Sequence, residues 1–150
     1  MKNNMRILGI DYGEARVGIA ITDALNITAQ GLETIQRNGS DKVILRRLDE
    51  ILEMYEVETI VVGMPFNMNG SISERAKVTQ EFVHKLKCKY NKLKIETIDE
   101  RLTTVEAHKT MNFLDINKNK KKNIVDTISA VYILETYLNK LKNSLKNNSK

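Results

Sequence analysis

The distribution of apolar positions along the chain predicts five β-strands. The run from Met5 to Asp11 is nearly continuous and apolar, which is typical of a buried strand. Val17, Ile19 and Ile21 alternate with smaller residues, and this period of two predicts a strand that forms a hairpin with the first. With the remaining apolar runs, the predicted strands cover residues 5–11, 16–22, 33–37, 58–63 and 93–98.

Apolar residues spaced three and four apart predict the first two helices. One covers residues 41–55, with Ser40 as its N-cap. The next runs from the capping-box pair Ser71 and Glu74 to about Tyr90, after a loop over residues 64–70 that holds the single proline. Its inward side chains are expected to be Val78, Phe82, Val83 and Leu86.

Two further helices are predicted near the end of the chain. Thr103 has capping-box spacing to Glu106 and opens a helix toward Asn112. Residues 115–123 read as a basic loop, and Asn123 would cap a final helix that runs through Leu138. The polar tail is expected to fray from about residue 141.

The predicted order of elements is β-β-β-α-β-α-β-α-α. A strand meander followed by alternating helices and strands predicts an α/β fold with a mixed five-stranded sheet flanked by helices. The 150 residues show no internal repeat or linker, so we expect one domain over residues 1–150.

The net positive charge of the chain comes from its last third. Residues 1–100 hold 14 Lys and Arg against 15 Asp and Glu, whereas residues 101–150 hold 10 against 4. This distribution favours a polyanionic partner such as nucleic acid. A solvated lysine surface in a lysine-rich chain would give the same counts, and that alternative stays open at this point.

Other features of the composition bear on the compartment. Cys88 is the only cysteine, which is typical of a reducing environment. The N-terminus lacks the apolar core of a signal peptide, and no segment approaches the ~20 apolar residues of a membrane span. We therefore expect a soluble, cytoplasmic protein that makes no membrane contact.

Three acids interrupt apolar segments that are distant in the sequence. Asp11 ends the first strand, Glu100 follows the fifth, and Asp126 lies within the apolar final helix. Burial of a carboxylate is unfavourable unless it is paired, hydrogen-bonded or bound to a cation. Asp99 is a rival for the role of Glu100, and a turn aspartate or a helix-dipole interaction could explain Asp11 or Asp126 singly.

Together these acids favour a metal site. Carboxylate oxygens are preferred ligands of hard cations such as Mg²⁺ or Mn²⁺, and three carboxylates can hold two ions about 3.5–4 Å apart. Such a pair of ions supports hydrolysis of a phosphodiester without a protein nucleophile. The sequence therefore predicts a metal-dependent nuclease with Asp11, Glu100 and Asp126 as catalytic and metal-binding residues.

Several cations are candidates for contacts with substrate phosphates. Arg16, Arg75 and Arg101 are placed beside predicted strand ends, and arginine binds phosphate through two parallel hydrogen bonds. Lys120 and Lys121 in the basic segment would add salt-dependent attraction to the backbone. For each arginine alone, a surface ion pair is the competing interpretation.

Four motifs in order along the chain resemble the YqgF family. They are G-I-D-Y-G-E-A-R-V-G-I-A-I-T-D, V-V-G-M-P-F-N-M-N-G, D-E-R-L-T-T and K-K-K-N-I-V-D-T-I-S-A, and the match extends from about Arg6 to Leu138. These bacterial proteins are described as pre-16S rRNA nucleases and were earlier described as Holliday-junction resolvases. Met64 and Phe66 depart from the leucines that are common in the family, and the tail is unmatched.

The resemblance implies a ribonuclease H-like fold and cleavage of nucleic acid in the 5′-end processing of precursor 16S rRNA, in the cytoplasm. It also implies that Asp11, Glu100 and Asp126 form the acidic site, with Arg16 as the family's arginine after D-Y-G. The implied partner is nucleic acid, and the chain is expected to act as a monomer or a homodimer.

Three other functions remain open on the sequence. A resolvase of branched DNA would use the same acids and act as a dimer. Asp11-Tyr12-Gly13 also resembles the phosphate hairpin of actin-like ATPases and sugar kinases, although these need a second nucleotide-binding half and the chain has no other D-x-G. An RNA-binding module without catalysis is the third.

Overall fold

Five strands form one mixed sheet in the computed structural model, which describes residues 5–102 and 118–148. The strands are β1 (Arg6–Tyr12), β2 (Arg16–Thr22), β3 (Ala29–Gln36), β4 (Val57–Met64) and β5 (Lys94–Asp99). Their order across the sheet is β3-β2-β1-β4-β5. β1 is antiparallel to β2 and parallel to β4, and β5 is parallel to β4, so β1, β4 and β5 end at the same edge.

Helices cover both faces of this sheet within the described residues. They are α1 (Asp41–Met54), α2 (Glu74–Lys89) and α3 (Lys118–Asn148), and a 3₁₀ turn, Glu100–Leu102, follows β5. α1 and α2 bury Leu48 and Phe82 against side chains such as Ile10 on one face. α3 buries Ile133 and Leu134 against the other face. The predicted α/β fold with a mixed five-stranded sheet is confirmed.

The two faces follow from the alternation of side chains along the central strands. On β1, Leu8 and Ile10 join the core under α1 and α2, whereas Ile7 joins the core under α3. Both faces of a sheet covered by helices need apolar residues at nearly every position, and this explains the continuous apolar run of β1.

Helix N-caps match the prediction for α1 and differ for α2. Ser40 caps α1, and its hydroxyl accepts a hydrogen bond from the backbone N–H of Lys42 at 3.1 Å. The predicted cap Ser71 is wrong, because Ser73 caps α2 and accepts from Ala76 N at 3.0 Å. Ser71 is instead bonded within the preceding loop, to Asn69.

The inward face of α2 also differs at one position from the prediction. Phe82, Val83 and Leu86 are buried as expected, whereas Val78 is 41% exposed. Ala76 and Thr79 are the buried residues of the first two turns. The spacing 76, 79, 82, 83, 86 fits one helical face, and Val78 lies outside it.

The predicted starts of β3 and α3 were wrong because pairing and propensity extend beyond the apolar pattern. β3 begins at Ala29 rather than residue 33, since it pairs with β2 back to Thr22. α3 begins at Lys118, so residues 118–123 are helical rather than a loop, in keeping with the good helix propensity of lysine. The helix predicted over 103–112 and loop residues 115–117 lie outside the described residues.

α3 continues to Asn148, ten residues beyond the predicted Leu138. Fraying of the tail from about residue 141 stays a prediction. Across the described ranges, the helices are too short or too polar to span a bilayer.

Candidate functional site

Asp11 lies at the carboxyl end of β1, on the face covered by α3. Gly9, two residues earlier, marks that face, because a Cβ added to Gly9 would lie 2.5 Å from Leu134 Cγ and 3.0 Å from the carbonyl oxygen of Ala130. Side chains two apart on a strand share a face, so the carboxylate of Asp11 belongs to the α3 side. Asp11 is half-buried.

Glu100 lies at the same edge, directly after β5. Its side chain covers Gly63 of β4: a Cβ on Gly63 would lie 2.6 Å from Glu100 Cγ and 2.9 Å from Glu100 Oε1. Ile133 of α3 contacts the same spot, with its Cδ1 2.5 Å from that Cβ. The carboxylate of Glu100 is therefore also on the α3 side.

The register of β1 and β4 relates the two acids. Ile10 pairs with Val62, so Asp11 and Gly63 are the next residues on neighbouring parallel strands. The structure thus brings Asp11 and Glu100, 89 residues apart in sequence, to one edge and one face of the sheet. This meeting follows from the common direction of β1, β4 and β5.

Asp126 belongs to the part of α3 that crosses this face. It lies one turn before Ala130, which is fully buried over the sheet, and next to Thr127. The hydroxyls of Thr127 and Thr34 of β3 are 2.8 Å apart, and the Thr127 methyl lies against Gly31. The Asp126 side chain is not among those described, so its place in the site stays a prediction.

Clusters of three His, Cys, Asp or Glu side chains do not occur among the described side chains, which include Asp11 and Glu100. The predicted trio includes Asp126, so the convergence of the three acids stays a prediction.

Asp99, the alternative to Glu100 as a predicted metal ligand, is paired with Arg101. Its carboxylate accepts hydrogen bonds from Arg101 Nε at 3.0 and 2.9 Å and from Arg101 Nη2 at 2.5 Å. These bonds to Arg101 hold the pKa of Asp99 below its ordinary value, against the effect of burial. Because side chains alternate along β5 and Ile98 joins the α3 core, Asp99 faces the α2 side, opposite to that of Glu100.

Arg101 also donates hydrogen bonds to the loop that follows β4. Its Nη1 donates to the carbonyl oxygens of Met68 at 3.2 Å and Asn67 at 3.5 Å. The guanidinium also lies 5.8 Å from the centroid of the Phe66 ring. Arg101 therefore connects this loop to the turn that follows β5, a role that the sequence prediction missed, and its contact with a substrate phosphate stays a prediction.

The other predicted phosphate-binding residues lie on three different elements. Arg16 begins β2, and its carbonyl oxygen accepts from Gly13 N at 3.0 Å to close the β1–β2 turn. Arg75 is exposed on the first turn of α2 and lines a cleft of about 400 Å³ on the α2 side. Lys120 and Lys121 lie in the first turn of α3, and their side chains are not among those described.

A hydrogen-bond network centred on Asp41, next to the β1–β2 turn, was also missed by the sequence prediction. Asp41 Oδ1 accepts from Tyr12 Oη at 2.5 Å and from Arg37 Nε at 3.0 Å, and Asp41 Oδ2 accepts from Lys85 Nζ at 2.9 Å. The Tyr12 ring stacks on Phe82 with centroids 4.1 Å apart, and the Arg37 guanidinium lies 5.0 Å from the Tyr12 centroid. The residue after Asp11 is thereby fixed in place.

Electrostatics in this network stabilise the charged form of Asp41. Burial raises the pKa of its carboxyl, but hydrogen bonds from Tyr12, Lys85 and Arg37 outweigh it and hold the pKa below the ordinary value. The pKa of the Tyr12 hydroxyl is raised by burial and by its hydrogen bond to Asp41. An aspartate at a helix start was the only sequence signal for this site.

Comparison with known proteins identifies relatives over almost the whole chain. A family model described as "RuvX: Holliday junction resolvase" matches residues 5–140. A "Putative pre-16S rRNA nuclease" of Ruminiclostridium cellulolyticum is 51% identical over 142 residues, which cover 95% of this chain and 99% of that protein. A protein of the same name from Acetivibrio thermocellus is 49% identical over 134 residues, or 89% and 95% of the two chains.

Among solved structures, RuvC of T. thermophilus in complex with a Holliday junction substrate has a similar fold. The TM-score is 0.52 at 13% identity, over 86% of this chain and 91% of that one. This similarity confirms the predicted ribonuclease H-like fold. With most of its length inside the family model and relatives near 50% identity, the chain belongs to the RuvX family, the YqgF proteins that its motifs resemble.

Proposed function

We propose that this protein is a metal-dependent nuclease that hydrolyses phosphodiester bonds, with Asp11, Glu100 and Asp126 as its acidic site. The observation that carries the proposal is the position of Asp11 and Glu100 above neighbouring strands, at one edge and on one face of the sheet. α3 crosses that face, and Asp126 lies one turn before the buried Ala130.

The donor set fits a hard divalent cation. Asp11 and Glu100 are half-buried carboxylates on one face of the sheet. Together with Asp126 they would hold Mg²⁺ or Mn²⁺, in keeping with the preference of these ions for carboxylate oxygen. When bound, such ions supply an activated water and stabilise the leaving oxygen.

The protein itself contributes position and charge. The end of β1 positions Asp11, and the turn after β5 positions Glu100. Arg16, Arg75, Lys120 and Lys121 are proposed to attract the substrate backbone, and arginine retains its charge at any physiological pH. No serine, cysteine or histidine nucleophile is required for this reaction.

Precursor 16S rRNA, cut near its 5′ end in the cytoplasm, is the proposed substrate. Support comes from the names of the relatives at 51% and 49% identity. The description of the family model favours a second candidate, cleavage of a Holliday junction. A resolvase cuts two symmetric strands and would act as a homodimer, whereas an rRNA nuclease can act as a monomer.

The test is cleavage of precursor 16S rRNA and of a DNA four-way junction, each with Mg²⁺ and with Mn²⁺. Wild-type protein is expected to cut the RNA, and Asp11→Asn is expected to abolish cutting. Glu53→Gln, an exposed acid on α1, is the matched control and should cut normally. Cutting of the junction alone would favour the resolvase, and RNA binding without cutting by wild type would favour a non-catalytic module.

A further inference from the structure

The loop that follows β4 carries an exposed methionine at its tip. We name residues 65–73 the β4–α2 loop. Met68 is 87% exposed, the largest exposed fraction among the described large apolar side chains, and Ile72 in the same loop is 50% exposed. Singly exposed apolar residues are common on protein surfaces, so the exposure of Met68 needs further observations before it indicates a role.

The first such observation is that the tip of the loop is ordered by its own polar groups. Asn67 N donates to the Ser71 carbonyl at 3.0 Å, and Gly70 N donates to the Asn67 carbonyl at 2.8 Å. Asn69 Oδ1 accepts from Ser71 N at 3.0 Å, and Gly70 adopts a positive φ of 86°. Ordering a loop is entropically unfavourable, and an exposed Met68 returns no burial energy to the fold.

The second observation is the attachment of this loop to the proposed active site. Arg101 donates to the carbonyl oxygens of Asn67 and Met68, and it is the residue next to Glu100. Asp99 fixes the guanidinium from the other side. The loop that carries Met68 is therefore bonded to the residue that follows Glu100 in the chain.

The third observation concerns the surroundings of the tip. Arg75 and Lys77 are exposed cations on the first turn of α2, where Lys77 is 61% exposed and its Nζ lies 3.5 Å from Glu74 Oε1. An apolar tip flanked by cations matches nucleic acid, whose bases are apolar on their faces and whose backbone is anionic.

We infer that Met68 acts as a wedge that inserts between stacked bases next to the cleaved phosphodiester. The inference rests on the proposed nuclease function and adds the local form of the substrate that the site accepts. Apolar side chains such as methionine open base steps in this way, and the polarisable thioether makes favourable contacts with aromatic rings. The wedge would favour cleavage at a stacked, structured site by exposing the phosphate to Asp11 and Glu100.

The wedge is tested with Met68→Gln, which keeps the length of the side chain and removes its apolar character. Met68→Leu should restore function, and Leu25→Gln is the matched control, since Leu25 is 66% exposed at the opposite end of the sheet. On whichever structured substrate wild type cuts, Met68→Gln should be about tenfold slower, the effect of one lost apolar contact. On an unstructured strand it should match wild type.

A second readout follows base stacking without cleavage. The inactive Asp11→Asn protein is mixed with the same substrate carrying 2-aminopurine beside the mapped cleavage site, and its fluorescence should rise on binding. Adding Met68→Gln should remove that rise, whereas adding Leu25→Gln should retain it. An unchanged rise together with an unchanged cleavage rate in Met68→Gln would overturn the wedge while the nuclease stands. Wild-type protein that cuts no substrate with either metal would instead overturn the proposed function.

Discussion

The carboxylate of Glu100 rests on Gly63, so closely that a Cβ at position 63 would lie 2.9 Å from Glu100 Oε1 and 2.6 Å from its Cγ. Ile133 of α3 contacts the same spot from above. Because residue 63 of β4 is glycine, the Glu100 side chain can lie over the sheet, next to the strand that ends in Asp11 and Tyr12.

Gly63→Ala should remove most cleavage activity while leaving a folded protein. The new methyl group displaces Glu100 or Ile133, and an added group in a packed site destabilises by about 2 kcal/mol. Misplacement of a reacting group by about 1 Å can lower a rate about a hundredfold. Cleavage rate and thermal unfolding would be measured together.

The matched control for this change is Gly39→Ala. Gly39 has a φ of +75° and no heavy atom within 4 Å of an added Cβ, so alanine there adds only backbone strain of about 1 kcal/mol. Its unfolding temperature should fall while cleavage is retained. Equal losses of cleavage in both variants would mean that general destabilisation, rather than displacement of Glu100, explains the effect at position 63.

Replacing the proposed acids should abolish cleavage and leave the fold intact. Glu100→Gln and Asp126→Asn each remove a charge without changing shape, and the lost charge stabilisation is expected to slow cleavage at least about a thousandfold. Circular dichroism and thermal unfolding would follow the fold, with Glu53→Gln as the control. Collapse of folding in Asp126→Asn would indicate that this acid stabilises the helix rather than the reaction.

Sequence patterns predicted the parts of the fold that local burial determines. Strands β1 and β2 have the expected bounds within one residue, because continuous and alternating apolar runs are direct consequences of burial on two faces. The meeting of Asp11 and Glu100 was predictable for a related reason. Asp11 lies at the end of the buried strand β1, Glu100 follows the edge strand β5, and parallel strands end at the same edge of a sheet.

Features that depend on distant partners were not predictable in this way. Ser71 and Ser73 are both competent N-caps, and the bonds of Ser71 within its own loop decide between them. The contact of Arg101 with the β4–α2 loop was missed because its carbonyl partners are 33 and 34 residues away. Asp41 looked like an ordinary first-turn acid until the fold brought Tyr12 to it.

Asp99→Asn should weaken cleavage without abolishing it, unlike Glu100→Gln. The substitution removes the charge that fixes the Arg101 guanidinium, so the β4–α2 loop loses its brace. A decrease of about ten- to a hundredfold is expected, the range for misplacement of a group near the reaction. Amide exchange of loop residues should accelerate in the same variant. Complete loss of cleavage without faster amide exchange in the loop would indicate that Asp99 takes part directly in the reaction.

The last turns of α3 should exchange their amide protons faster than its middle. Leu134 and Leu138 are buried against the sheet, whereas Leu141 is 38% and Leu145 68% exposed, so the end of the helix has little packing to hold it. Removing residues 141–150 should lower the unfolding temperature only slightly. Protection of residues 141–148 equal to that around Leu134 would contradict the expected fraying.

Asp41→Asn should destabilise the protein at neutral pH. It should also make the free energy of unfolding depend less on pH in the acid range. The folded-state pKa of Asp41 lies below its ordinary value of 3.8, so its ionised form contributes stability above that pH, which is lost as pH falls through the folded pKa. Loss of hydrogen bonds to Arg37 and Lys85 should lower the free energy of unfolding by about 2 kcal/mol at pH 7.

The measurement is urea unfolding of both proteins between pH 7 and pH 2, where the curves should converge at the acid end. Glu50→Gln is the control, because its pair with Arg47 is 55% and 33% exposed on the two side chains and should contribute under about 1 kcal/mol. A constant gap between wild type and Asp41→Asn down to pH 2 would show that Asp41 stabilises the Tyr12 end of β1 by its shape and hydrogen bonds alone. Convergence would show that the charge of Asp41 holds the strand end that presents Asp11.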